Sequence, residues 1–272
     1  MNKAFTLIEL LVVIAIIGIL AVVTMVNLNS ARNKARINAG LQFESTLKNV
    51  MGSELVGEWT FNDGSATDSS GNGNHGTKIS NPIGDPNGTS GVKTLALEFD
   101  GNDYIEISSS SSLDNLSEFT YSAWIYQTAI GDHEIISKRD SARELRIEDD
   151  SGAVHLRGCV IASTTHGCTN SQNGDIRLNA WQHVAMTYND TGDRDVHLYI
   201  NGEEVSDVQS TASGTVSTDS TFDLNIGRRS GVFGDREFIG GIDEVKIYAT
   251  TLGLAQIQTL YKKGLAIRDF DK

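Results

Sequence analysis

The chain has 272 residues, 39% hydrophobic and 21% charged, with a formal net charge of −13. That composition allows a sizeable core and argues against wholesale disorder, and the acidic balance argues against a general nucleic-acid binder, which needs basic surface to meet phosphate. Twenty-seven glycines against two prolines suit a turn-rich β protein.

The charge is unevenly spread. Residues 1–52 carry five basic and two acidic side chains, a net of +3, which leaves −16 for residues 53–272. The change of sign near Gly52 predicts a boundary between two unlike parts.

The first part is predicted to be a membrane-spanning helix. No charge occurs from Leu10 to Ala31, and Leu10–Val26 is almost wholly apolar. With Phe5, Leu7 and Ile8 the run reaches the roughly 20 residues needed to cross a bilayer. A secretory signal peptide would put a charged region before the apolar core and a small-residue cleavage site after it. Here only MNKA precedes the run, and an acid, Glu9, sits in its first turns. A carboxylate in that place is costly and marks a partner or a function. No proline interrupts the pattern before Met51, and Leu28, Ala31, Ala35, Leu41, Leu47 and Met51 form an irregular apolar stripe. The helix is expected to run from Phe5 to Met51, roughly 70 Å at about 1.5 Å per residue.

The segment Ala4-Phe5-Thr6-Leu7-Ile8-Glu9, followed by the uninterrupted apolar helix, resembles the prepilin leader of type IV pilins and type II secretion pseudopilins. The resemblance implies cleavage between Ala4 and Phe5 by a membrane-embedded prepilin peptidase, N-methylation of Phe5, and self-assembly into a filament. Ala4 stands where glycine is usual. In the filament Glu9 would neutralise the new amine of a neighbouring subunit, and the cost of an unpaired carboxylate in an apolar core would set the register. Arg32, Lys34 and Arg36 follow the span and would by charge bias hold that end in the cytoplasm; the leader resemblance places the following domain outside.

After Gly52 the pattern becomes short alternating or apolar runs separated by turns. Strands are predicted at Tyr104–Ile107, Thr120–Tyr126, Glu134–Ser137, His183–Tyr188, Val196–Ile200, Leu224–Ile226 and Glu244–Tyr248, with turns at Asn62-Asp63-Gly64, Asp100-Gly101 and Asn201-Gly202. A helix is predicted only at Ala255–Lys262. Strands without crossover helices predict antiparallel sheets packed face to face. The ordered pieces GEWTFNDG (57–64), ALEFDGNDYIEI (96–107), FTYSAWIY (119–126), WQHVAMTYND (181–190), VHLYINGEEV (196–205), LNIGRR (224–229) and GGIDEVKIYATTLGLAQIQTLY (240–261) resemble the laminin-G-like and pentraxin-like branch of the concanavalin A-like lectin/glucanase superfamily. This implies a jelly-roll sandwich. The whole chain reads as α+β by parts: leader 1–4, a transmembrane and filament α-helix 5–52, an all-β sandwich 53–263, and a tail 264–272.

No catalytic set is expected. Glu144 and Glu148, with Asp149 and Asp150, lie beside a Ser-Gly turn and read as a solvated hairpin tip. Asp243 and Glu244 are adjacent and would face opposite sides of a strand. Neither makes the acid–nucleophile pair, about 5–5.5 Å apart, of a retaining glycosidase. Gly71–Gly76 matches G-x-G-x-x-G but lacks the strand-to-helix context of a nucleotide site, so it reads as a turn. Asp68–Gly73 has oxygen acceptors at alternate positions like the opening of a calcium loop, though Ile79 stands where an EF-hand closes with Glu. In the lectin-like family a structural calcium often sits at the sandwich edge, which makes Asn62, Asp68, Asn72 and Asp243 the candidates; an Asx-rich turn capping its own backbone is the equal alternative. Cys159 and Cys168 are the only cysteines, and an exported chain favours a local disulfide between them. His166, between them, reads as solvent-exposed. Trp59, Trp124 and Trp181 read as core, with Tyr104 and Phe233 as possible exposed sugar platforms.

These readings combine into a pilin-like subunit of a type IV pilus or related filament. It would be a single-pass membrane precursor, then extracellular on a prokaryotic cell surface, displaying a lectin-like head for adhesion or recognition of a glycan or surface ligand. The alternatives are a type II secretion pseudopilin, a purely structural coat, and a membrane-tethered glycan hydrolase.

Overall fold

The computed structural model describes residues 11–14, 16, 51–80, 83–84, 96–138, 142–231 and 236–269. The chain divides into two compact units, Met1–Met51 and Gly52–Lys272. Residues 11–14, 16 and 51 of the first are helical. Ala4, Phe5, Glu9 and most of the expected span lie outside the described residues, among which no helix is long and apolar enough to cross a membrane.

The second unit is a sandwich of two antiparallel sheets. In chain order its elements are β1 (Leu55–Trp59), β2 (Gly76–Ile79), β3 (Ile83–Gly84), β4 (Leu97–Asp100), β5 (Tyr104–Ile107), β6 (Glu118–Gln127), β7 (His133–Lys138), β8 (Arg143–Asp150), β9 (Ala153–Val160), β10 (Gly167–Asn170), β11 (Trp181–Asn189), β12 (His197–Ile200), β13 (Glu203–Glu204), β14 (Asp207–Ser210), β15 (Leu224–Ile226), β16 (Ile239–Tyr248) and the helix α1 (Leu254–Asp269). The first sheet runs β13-β12-β11-β6-β16-β4-β3, with β1 also paired to β16. The second runs β14-β10-β9-β8-β7-β15-β5-β2.

Period-two alternation builds the core between them. Trp59, Phe119, Tyr121, Ile125, Val184 and Met186 of the first sheet meet Ile105, Leu145, Ile147, Leu156 and Ile226 of the second. In β16 the core residues are Ile242, Val245 and Ile247, which breaks strict alternation. A bulge between Asp243 and Lys246, with Glu244 at φ 50°, shifts the parity by one and keeps all three inside. Asn201 and Gly202 both take positive φ, so the predicted Asn-Gly turn closes the β12–β13 hairpin.

The sequence reading placed all three tryptophans in the core. Only Trp59 is there. Trp124 points to the outer face of the first sheet, where α1 covers it: the Tyr261 ring stacks 5.7 Å away at 23°. A Cβ on Gly264 would run into the Trp124 indole nitrogen, so only glycine lets the helix lie this close. Residues 264–269 of the expected tail are the last turns of α1, which this contact holds against the sheet. Trp181, half-buried, packs against Tyr126 on the same outer face.

Candidate functional site

The outward face of the second sheet is polar, and its side chains stand in cross-strand rows. Leu224 and Ile226 enter the core, so Asn225 between them faces out; Ile105 and Ile107 likewise turn Tyr104 and Glu106 outward. One row runs Thr77, Glu106, Asn225, Ser137, Glu144, Cys159, Cys168 and Ser210, each directly opposite the next. A second runs Glu134, Arg146, Arg157, Asn170 and Asp207.

The middle of this face buries charge. Glu144 accepts from Arg146 Nε at 3.2 Å and from Arg236 Nη1 at 3.5 Å. Arg146 also donates to Glu148 at 2.6 Å, and Arg157 bridges Glu148 (3.2 Å) and Asn170 (2.9 Å). Burial pushes the Glu148 carboxyl up, but the Arg146 bond and the charges of Arg146, Arg157 and His155 outweigh it and hold the group below its ordinary range. Glu134 is 0% exposed, and neither of its oxygens accepts a hydrogen bond. Its nearest cation among the described residues is Arg236, 3.8 Å away. Burial, then the charge of Glu144, pushes the Glu134 carboxyl well above the usual range, against the opposing pull of Arg146 and Arg236. Two acids thus share one arginine nitrogen within 4.0 Å.

Glu144 and Glu148 are therefore not at a solvated hairpin tip. The tip is the turn after β8, where Asp149 accepts from the Gly152 amide at 2.7 Å. Glu144 and Glu148 read as part of that tip because only Leu145 and Ile147 carry the apolar alternation of β8, while Glu144, Arg146 and Glu148 all face the network.

At the β5–β15 end the face opens into a cleft of about 220 Å³, lined by Tyr104, Glu106, Asp223, Asn225, Arg228 and Ser230 among others. The Arg228 guanidinium lies 4.6 Å from the Tyr104 ring centroid and its Nε is 3.8 Å from Glu237. Asn225 is 6% exposed and its Oδ1 accepts no hydrogen bond. Sequence reasoning named Tyr104 but missed Asn225 and Glu134; the Leu-Asn-Ile alternation signals the first, whereas a bulge between Glu134 and Ile136 hides the second. Phe233 lies outside the described residues.

The calcium candidates have separate settings. Asp68 is saturated: Oδ1 accepts the amides of Glu58 (3.0 Å) and Ser70 (2.9 Å), and Oδ2 accepts the Ser70 hydroxyl (2.9 Å) and the Asn74 amide (2.8 Å). Asn72 donates its amide to Leu55 O and Ser70 Oγ. Asp243 accepts from the Glu244 amide at 2.8 Å in the β16 bulge, and Asn62 is exposed in a turn. The four donors to Asp68 are those of a loop that caps its own backbone. Among the described residues no group of three or more His, Cys, Asp or Glu side chains could hold a metal. Gly71 and Gly73 take positive φ within this self-capped loop. Cys159 and Cys168 form a disulfide directly across β9 and β10, and the His166 ring is paired with the Ala162 backbone.

A family model for the concanavalin A-like lectin/glucanases superfamily matches residues 99–258. The chain belongs to this superfamily. A second model, for the prokaryotic N-terminal methylation motif, matches residues 1–25. No curated protein matches the chain. Among solved structures the concanavalin A-like domain is similar to domain 4 of AbnA, an extracellular arabinanase of Geobacillus stearothermophilus solved with arabinotriose: 20% identity, TM-score 0.56, covering 76% of this chain and 98% of that one. It is similar to the binding domain of Paraclostridial Mosquitocidal Protein 1 (17% identity, TM-score 0.57, 79% and 53% covered). It is also similar to botulinum neurotoxin type C, whose passage into cells depends on two ganglioside molecules (15% identity, TM-score 0.60, 79% and 52% covered). The match spans about half the length of each toxin chain. At these identities the likeness is one of fold.

Proposed function

We propose that the protein is a pilin-like filament subunit that displays a glycan-recognising head. The observation that carries the reading is the union, in one chain, of an N-terminal methylation motif and a concanavalin A-like sandwich. The precursor is stored in the membrane, cut between Ala4 and Phe5 by a prepilin peptidase and methylated on Phe5. It assembles through its N-terminal helix with Glu9 against a neighbour's amine. The head then faces the outside and binds glycans for adhesion. The polar outer face of the second sheet supports the recognition role, because buried acceptors such as Asn225 Oδ1 match the hydroxyl donors of sugars. The arabinotriose of the AbnA domain and the gangliosides of the neurotoxin support the same ligand class. Fold alone does not fix function, so the test is direct. Cells making the wild-type chain are expected to show filaments decorated by antibody to the head, and Glu9→Leu is expected to abolish them while leaving the protein in the membrane. A wild-type chain found only dispersed in the membrane would sink the filament reading.

A further inference from the structure

We propose that the cleft between β5 and β15 is a single-ring subsite for a neutral sugar, an inference that rests on the glycan-recognition reading above. Asn225 offers the cleft an acceptor without a donor. Asn225 stands in the middle of a strand whose neighbours fill the core, so its amide has no freedom to leave the face, and Oδ1 is buried without a partner. Such an atom in a cleft calls for a donor from a ligand. Directly opposite it on β5 stands Glu106, half-buried and lining the same cleft. Directly opposed side chains in an antiparallel pair have Cβ atoms about 5 Å apart. The two side chains thus offer acceptors side by side along the cleft, as two neighbouring hydroxyls of one sugar ring require.

The size and charge of the cleft narrow the class. Its volume of about 220 Å³ is below the roughly 300–1,000 Å³ of sites that enclose drug-sized ligands, so it holds one ring of a longer chain. Its acids are Glu106 and Asp223, and Asp223 Oδ1 already accepts the Ser109 amide at 3.0 Å. The cation in the cleft, Arg228, is engaged with the Tyr104 ring and with Glu237. An anionic sugar would meet carboxylates first, so uronates and sialates are disfavoured. Tyr104, braced by Arg228, forms an aromatic wall for the apolar edge of the ring.

The test is saturation-transfer NMR on the full chain in lauryldimethylamine-oxide micelles. The probes are methyl α-D-mannopyranoside, methyl β-D-galactopyranoside and methyl α-D-glucopyranoside, with glucuronic acid as the anionic counterpart. At least one neutral glycoside is expected to bind, and more tightly than glucuronic acid. Asn225→Leu replaces the side chain that carries the unpartnered Oδ1 by an apolar group of similar size and is expected to melt no lower than wild type. It should weaken binding by about tenfold or more, the loss of roughly one hydrogen bond, and Glu106→Gln should weaken it less. A neutral glycoside that binds both variants as it binds wild type would overturn the cleft while leaving glycan recognition elsewhere on the head. Binding of glucuronic acid alone would overturn the neutral class. Silence from all four probes would overturn the subsite, and a glycan array without hits would then overturn the recognition reading as well.

Discussion

Replacing Glu134 by glutamine removes a charge that the native fold leaves unsolvated. The carboxyl is fully buried, neither oxygen accepts a hydrogen bond, and its closest cation among the described residues is 3.8 Å away. Its folded pKa lies well above the ordinary 4.5, through burial first and Glu144 second. Below pH 4.5 the group is neutral in both states and contributes nothing. As the pH rises past 4.5 the unfolded chain ionises there and the folded one resists, so stability is lost across that window until the raised folded value is passed. Leaving a buried polar group unsatisfied costs about 1–3 kcal/mol. Arg236 and Arg146 offset part of this, and both keep other partners, Glu144 and Asp132, in the variant. Glu134→Gln is therefore expected to stabilise the head by about 1–2 kcal/mol near pH 8, or about 3–6 °C for a domain of this size, and to match wild type near pH 4. Thermal melts followed by circular dichroism at both pH values decide it. A variant that melts below wild type at pH 8, or whose difference is the same at both, would refute the reasoning.

Two further outcomes follow from named contacts. His197 is held between Glu204 (2.7 Å) and Asp193 (2.9 Å). Burial lowers its pKa, but the two carboxylates raise it more, so it ends above the ordinary 6.5. Its contribution is complete below pH 6.5 and fades as the pH rises through the folded value. His197→Gln should therefore cost under about 1 kcal/mol near pH 5.5 and almost nothing near pH 9, read as urea midpoints at the two pH values. Asp68 accepts four hydrogen bonds, so Asp68→Ala should cost about 2–4 kcal/mol, while EDTA and added calcium leave the wild-type melting temperature unmoved. A calcium-dependent rise would restore a metal to this loop.

Much of the sandwich was legible because strand burial is a local, period-two property. Ile105 and Ile107, or Leu224 and Ile226, announce their own core face and by the same rule expel Tyr104, Glu106 and Asn225. Where the chain breaks the period, reading failed. The bulge in β7 hid Glu134, and the charged outward positions of β8 made Glu144 and Glu148 read as a hairpin tip. Asp68 and Asn72 show another limit: acceptors at alternate positions spell a calcium loop and a self-capped turn alike, and the donors from Glu58 and Asn74 that reach Asp68 come from positions no local pattern marks.

By itself the sequence determined the methylation motif, the change of charge at the boundary, the β class of the head and which side of most strands enters the core, since each of these is written in residues near one another. Only the tertiary structure decided what faces what. It set Asn225 opposite Glu106, brought Glu134 and Glu144 to one arginine, and moved Trp124 from the core to a seat beneath α1. Those pairings depend on strand order and register, which arise from the packing of the whole sandwich and which no local pattern encodes.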